Sequence, residues 1–233
     1  MLPMPTTSRK ETKKMTPDYQ TAAIKATETL IKYNISSAPI DPLPILKKYP
    51  GVLVLSFAEM SEDVGIERKR VVSIFGDKNQ DAITTAYNTD GRTLYVVGYN
   101  QRLPLYMVQR ALARELGHIV LGHDGSREDA VRTSEAKTFA HHLLCPRALI
   151  HMVQAAGIRI ITEVLGNLTG CYDRCLYCMR RVPGVEVPAE LNRAVRDQFK
   201  DYFYNFFDFQ RSISHEDGSA LADFGTFMDG YNE

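Results

Sequence analysis

Eleven residues, Ala113-Arg114-Glu115-Leu116-Gly117-His118-Ile119-Val120-Leu121-Gly122-His123, constrain this chain more than any other stretch. Their apolar spacing suits a helix that closes at Gly122, because glycine takes the left-handed turn that ends a helix. Glu115 and His118 stand three apart, on one helical face. They match the second half of the zinc motif H-E-x-x-H. There, two histidines four apart bind one metal, and the glutamate beside the first activates metal-bound water. The first histidine position holds Arg114. A guanidinium stays protonated and has no lone pair to donate, so Arg114 is not a ligand. The stretch reads as a peptidase helix with one ligand missing.

The bulk of the sequence narrows the class. At 233 residues the chain is long enough to bury a proper core. Lys and Arg number 28, Asp and Glu also 28, so the formal net charge is zero. That balance makes no electrostatic case for nucleic acid or a membrane surface as main partner. The longest apolar runs fall far short of a membrane span, and the N-terminus carries no apolar signal core. Three of the four cysteines are bunched at Cys171, Cys175 and Cys178, unlike a disulfide framework spread through a secreted domain. The expectation is a soluble, cytoplasmic protein.

Residues 1–15 are polar, basic and aperiodic, and read as a disordered leader, with Met15 a candidate natural start. Pro17 to Tyr33 has helical periodicity, with Thr16 as the expected N-cap. A Pro-rich connector, Ser36 to Pro44, leads to a short helix around Ile45–Tyr49. Val52–Phe57 and Val71–Phe75 suit strands. Ala82–Tyr87 and Arg92–Tyr99 flank Asn88-Thr89-Asp90-Gly91 and form an expected hairpin. Helices follow at Pro104–Leu121, Arg127–Leu144, Pro146–Gly157, Thr162–Leu168, Gly170–Arg181 and Pro188–Ser212. The stretch from 213 to 233 reads as a loosely held tail.

The run from Arg110 to Arg147 resembles the ImmA/IrrE metallopeptidase family. Its members carry H-E-L-G-H followed by a second helix reading E-A-N-x-F-A-x-x-L-L-x-P. Here the two motifs are Arg114-Glu115-Leu116-Gly117-His118 and Glu135-Ala136-Lys137-Thr138-Phe139-Ala140-His141-His142-Leu143-Leu144-Cys145-Pro146. The likeness extends from Pro17 to about Arg181. It implies an α+β, zincin-like fold: a small antiparallel sheet packed on the motif helix, and a helical C-terminal half. The domain would run over 16–182, with an aromatic helix at 183–212.

The resemblance also implies a ligand set of the two motif histidines and a glutamate on the second helix, with Glu115 as the catalytic base. His118 matches the second histidine. The glutamate position, four before the asparagine, holds Thr133. Glu135 comes two residues later, about 200° around the helix, and is the remaining candidate third ligand. With His118 alone, or His118 and Glu135, zinc binding should be weak or absent. Arg114 is expected to stand in for the metal's charge by pairing with Glu115 or Glu135. His123 fits a ligand role only if the helix ends first, and is read instead as a cap on the last turn. Of His141 and His142, one should line a surface and the other pack.

Family members act inside cells, many of them on helix-turn-helix repressors. The expected function is therefore a homologue with a degenerate metal site, weakened or non-catalytic, that binds or acts on such a regulatory protein. The alternative is an active zinc endopeptidase with an unusual ligand set. A remote alternative is an iron–sulfur or metal-binding protein, since Cys171, Cys175 and Cys178 spell the spacing in which radical-SAM enzymes hold a cluster. The simpler reading puts all three thiols on one helical face as small buried apolar groups. Thr162 to Arg181 also scans as a helix-turn-helix, but Arg174, Arg180 and Arg181 give it too little positive charge for DNA. Finally, Phe199, Tyr202, Phe203, Phe206 and Phe209 form an apolar stripe, with Tyr204 and Phe207 outside it. The stripe should pack into the core, and the remainder could serve a homo-oligomer.

Overall fold

The computed structural model describes residues 16–64, 81–89, 91–123, 129–170 and 185–217. The expected strand at Val71–Phe75, most of the helix at Gly170–Arg181 with its three cysteines, and the tail from residue 218 lie outside the described residues.

Helix α1 (Tyr19–Lys32) is capped by Asp18, not Thr16: the Asp18 carboxyl accepts the Thr21 N–H at 2.9 Å. An aspartate at that place satisfies an otherwise orphan donor of the first turn. Helix α2 (Pro42–Lys48) starts three residues earlier than Ile45, because Asp41 caps it and Pro42 suits the first helical position. Strand β1 (Val52–Ser56) stops before Phe57. Ser56 and Glu59 form a reciprocal capping box, Ser56 N–H to Glu59 at 2.6 Å and Glu59 N–H to Ser56 Oγ at 3.1 Å. That box opens α3 (Phe57–Val64), a helix absent from the expectation.

Strands β2 (Ala82–Thr89) and β3 (Arg92–Tyr99) form the expected antiparallel hairpin, with Gly91 at φ +74° in its turn. β1 joins the other side of β3 in parallel, Val54 opposite Val97, so the sheet is mixed and not purely antiparallel. Among the described residues the order β1-β3-β2 leaves β2 at the edge.

The remaining elements are α4 (Leu105–Val120), α5 (Asp129–Leu144), α6 (Arg147–Ala155), α7 (Thr162–Thr169) and α8 (Ala189–Asp217). α8 continues past the expected end at Ser212. α4 lies on β2 and β3 and against α5, α1 packs on α5, and α8 packs on α1 and α6. One main core joins Leu30, Leu112, Leu116, Phe139, Leu143, Leu149 and Phe199, all fully buried. In α8, Phe199, Phe203 and Phe207 are buried, with Phe203 and Phe207 rings 4.6 Å apart. Phe207, placed outside the stripe by sequence, is therefore part of the core.

The α4–α5 contact depends on Gly117. A Cβ there would meet Phe139 Cδ1 at 3.0 Å and the Ala136 carbonyl oxygen at 3.2 Å. Phe139 is fully buried and has nowhere to yield. Alanine is better in a helix than glycine by about 1 kcal/mol, but crowding a packed core costs about 1–3 kcal/mol. Gly117→Ala is expected to lower stability by about 1 kcal/mol, read as an earlier urea midpoint; an unchanged midpoint would show that the helices can separate freely.

Candidate functional site

The site is built at the C-terminal end of α4. There the Gly122 N–H donates to the Ile119 carbonyl at 3.1 Å, and the His123 N–H to the His118 carbonyl at 3.0 Å. With Gly122 at φ +63°, these two bonds make a Schellman turn. The backbone N–H of His123 thus closes the helix, whereas the sequence suggests its side chain meeting the helix dipole. Its side chain does something else. The turn swings it back so that its Nδ1 lies 2.9 Å from His118 Nδ1, the two rings meeting edge to face at 5.0 Å. On its other side, His123 Nε2 is 2.9 Å from Glu135 Oε2. Glu135 Oε1 accepts the backbone N–H of Asp18 at 2.8 Å.

A buried chain therefore runs His118–His123–Glu135 and ties the end of α4 to α5 and to the start of α1. Glu135 is only 2% exposed. Removing its carboxyl would leave the His123 Nε2 and the Asp18 N–H facing a void. Glu135→Ala is expected to cost about 2–3 kcal/mol by urea unfolding, more than any exposed substitution on α5. A loss under about 0.5 kcal/mol would show that the chain contributes little.

Beside this chain opens a cleft of about 520 Å³ between β2, α4 and the start of α5. Thr84, Arg114, Glu115, His118, Arg132 and Thr133 line it, with His123 at its inner edge. The three positions at which the resemblance places metal ligands, 114, 118 and 133, thus converge on one cavity. Glu135 is not among its lining residues.

Glu115 is buried, accepts the Thr84 hydroxyl at 2.9 Å, and meets Arg114 Nε at 3.4 Å. Burial pushes its carboxyl above the ordinary value, against the smaller opposing pull of Arg114 and Thr84. His118 is held down to about 4, by burial first and then by His123, Arg114 and Arg132. Arg114 pairs with Glu115, one of the two carboxyls expected for it. On α5, His142 is buried and His141 half-buried, as expected, and burial holds both down to about 4.

If His123 donates from Nε2 to Glu135, a neutral His123 accepts at Nδ1 from His118 Nδ1–H, which leaves a lone pair on His118 Nε2. A hydrogen-bond partner on the far nitrogen is how metal-binding histidines are oriented. The remaining donors fall short: position 114 offers a guanidinium and position 133 a neutral hydroxyl. Among the described residues no three His, Cys, Asp or Glu side chains are grouped to hold a metal ion. Catalytic zinc takes three protein ligands, and this donor set does not fit it.

Sequence reasoning missed Thr84 and Arg132, for which nothing local gave a signal. It saw the turn at Gly122 but not that the turn aims His123 inward.

The α+β arrangement, with a motif helix under an edge strand and a cleft at its end, is that of a zincin-like metallopeptidase domain. Residues 67–171, which include the residues that build this cleft, match the family model of the IrrE N-terminal-like domain, Peptidase_M78, and so support the likeness to the ImmA/IrrE metallopeptidase family. Searches of curated proteins and of solved structures gave no match. No helix among the described residues is long and apolar enough to cross a membrane.

Proposed function

We propose that this protein is an ImmA/IrrE homologue with a degenerate metal site, which binds a regulatory protein in the former substrate cleft and cleaves it weakly or not at all. The observation that carries this reading is Arg114: it occupies a ligand position, lines the cleft, and leans on the carboxyl that would otherwise serve as base. A fixed positive charge there opposes a divalent cation at close range. The partner is a cytoplasmic regulator such as a helix-turn-helix repressor, in keeping with what many family members act on.

The edge strand supports docking. Among the described residues β2 pairs with β3 alone, and Ala82, Ile83, Thr84 and Ala86 border the cleft. An extended segment of a partner can add to such an edge through main-chain hydrogen bonds.

The second reading, a working zinc endopeptidase, draws on the orientation of His118 by His123. Metal analysis separates the two. The full chain, purified without chelators and dialysed against a slight excess of zinc and then buffer, is expected to retain well under one equivalent. One tightly held equivalent would overturn the degenerate-site reading and favour the second, in which Glu115 is the base that a peptidase assay then tests.

A further inference from the structure

We infer that the cleft is a receptor for a carboxylate on the bound partner, with Arg114 as its anchor. This rests on the cleft being a docking site, and it names the chemistry that the site selects.

The argument is one of guanidinium geometry. The Arg114 side chain is 28% exposed and lines the cleft. It meets Glu115 through Nε at 3.4 Å, a long contact made from the inner end of the guanidinium. Its terminal Nη pair, the edge that grips a carboxylate bidentately, has no hydrogen-bond acceptor among the described residues.

The other charges of the cleft are already matched. Arg132 pairs with Asp129, and Asp81 with Arg110 at 3.7 Å. Glu115 turns its second oxygen to the Thr84 hydroxyl at 2.9 Å, away from the guanidinium. Among the described residues Arg114 is thus the cation of the cleft with an open face, and both it and Arg132 are near enough to act on the His118 ring. With Asp81 and Asp129 each paired, the described lining of the cleft offers one unmatched positive charge, which fits a single negative charge better than a dianion such as a phosphate. The edge of β2 beside it fits that carboxylate being carried on an extended peptide. It comes either from an acidic side chain or from a chain terminus.

The test uses the full chain and fluorescein-labelled short peptide pools, degenerate except at the centre. Four pools suffice: central Glu with an amidated end, central Gln with an amidated end, central Gln with a free carboxyl end, and central phosphoserine with an amidated end. By fluorescence polarisation, the Glu pool or the free-carboxyl pool is expected to bind at least ~10-fold tighter than the amidated Gln pool. Whichever of the two is preferred identifies the source of the carboxylate. Arg114→Gln is expected to erase the preference, bringing the carboxylate pools down to the affinity of the amidated Gln pool measured on the same variant. Arg102→Gln, the same charge change on an exposed loop residue, should retain it; far-ultraviolet circular dichroism confirms that both variants fold.

Equal binding of all pools, or an unchanged preference in Arg114→Gln, overturns the inference and leaves the docking reading standing. A phosphoserine pool that binds tightest overturns the assignment of a single charge. Binding of no pool at all overturns the docking reading and this inference with it.

Discussion

The Arg114→His/Thr133→Glu double variant is expected to bind zinc at least ~10³-fold more tightly than the natural chain, about 4 kcal/mol. Both changed positions already line the cleft with His118, so the three ligand positions face one cavity. Replacing Arg114 removes a guanidinium that repels the ion and supplies an imidazole one helical turn from His118. Replacing Thr133 exchanges a neutral hydroxyl for a charged oxygen donor. His118 is already steadied through its Nδ1 by His123 and, behind that, Glu135.

Each single change supplies two of three ligands and should recover only part of the gain. Competition with a chromophoric chelator reads the affinity, and added zinc should raise the melting temperature most in the double variant. Equal zinc affinity in the natural chain and the double variant would mean that metal, if bound, uses other residues. The degenerate-site reading would then lose its structural basis.

Why the sequence reveals the ligand positions but not the site follows from which interactions are local. The helices α4 and α5 were legible because apolar periodicity, Gly122 and Pro146 agree on their ends. The hairpin was legible because Asp90-Gly91 sits between two β-rich runs. α3 was not expected, although Ser56-Phe57-Ala58-Glu59 carries the S-x-x-E signature that opens it. The apolar run before it concealed the change from strand to helix. The parallel pairing of β1 with β3 is non-local, and no residue pattern within either strand announces it.

The same division holds at the cleft. Glu115 and His118 share one helix, so spacing alone relates them. The contact of His123 with Glu135 spans two helices, and that of Glu135 with the Asp18 N–H spans 117 positions in sequence. Sequence placed Glu135 as a candidate metal ligand because it was the nearest acidic residue to the expected position. The structure instead directs its two oxygens to His123 and to the start of α1. Thr133, set aside as a non-ligand, is the α5 residue that reaches the cleft. A shift of two residues turns a helix by about 200°, and that rotation decides which side chain faces the cavity.

Lowering the pH from 7 to 5 is expected to remove about 5 kcal/mol of folding stability, before the opposing contribution of Glu115, because three wholly or partly buried histidines are held in their neutral form. His118, His141 and His142 are each held down to about 4 from an ordinary 6.5. Burial is the first cause in all three. Arg110 and Lys137 add to it at His141, and Arg147 and His141 at His142. Between those two values the unfolded chain holds protons that the folded one does not, so stability is full above pH 6.5 and is lost as pH falls toward 4. The limiting slope is about 1.4 kcal/mol per pH unit for each such group. Glu115 works in the opposite sense. Its raised value means the folded state keeps a proton longer as pH rises, so its contribution is greatest in acid and offsets part of the loss.

Urea unfolding at a series of pH values reads the slope, and a flat profile between pH 7 and 5 would show these histidines to be hydrated. His142→Leu separates the terms. His142 is 3% exposed, and its Nδ1 has no hydrogen-bond partner among the described residues. An apolar side chain of similar size removes that unpaired nitrogen along with one proton-binding group. The variant should match or exceed the parent at pH 7, gain on it by about 2 kcal/mol at pH 5, and show a shallower slope.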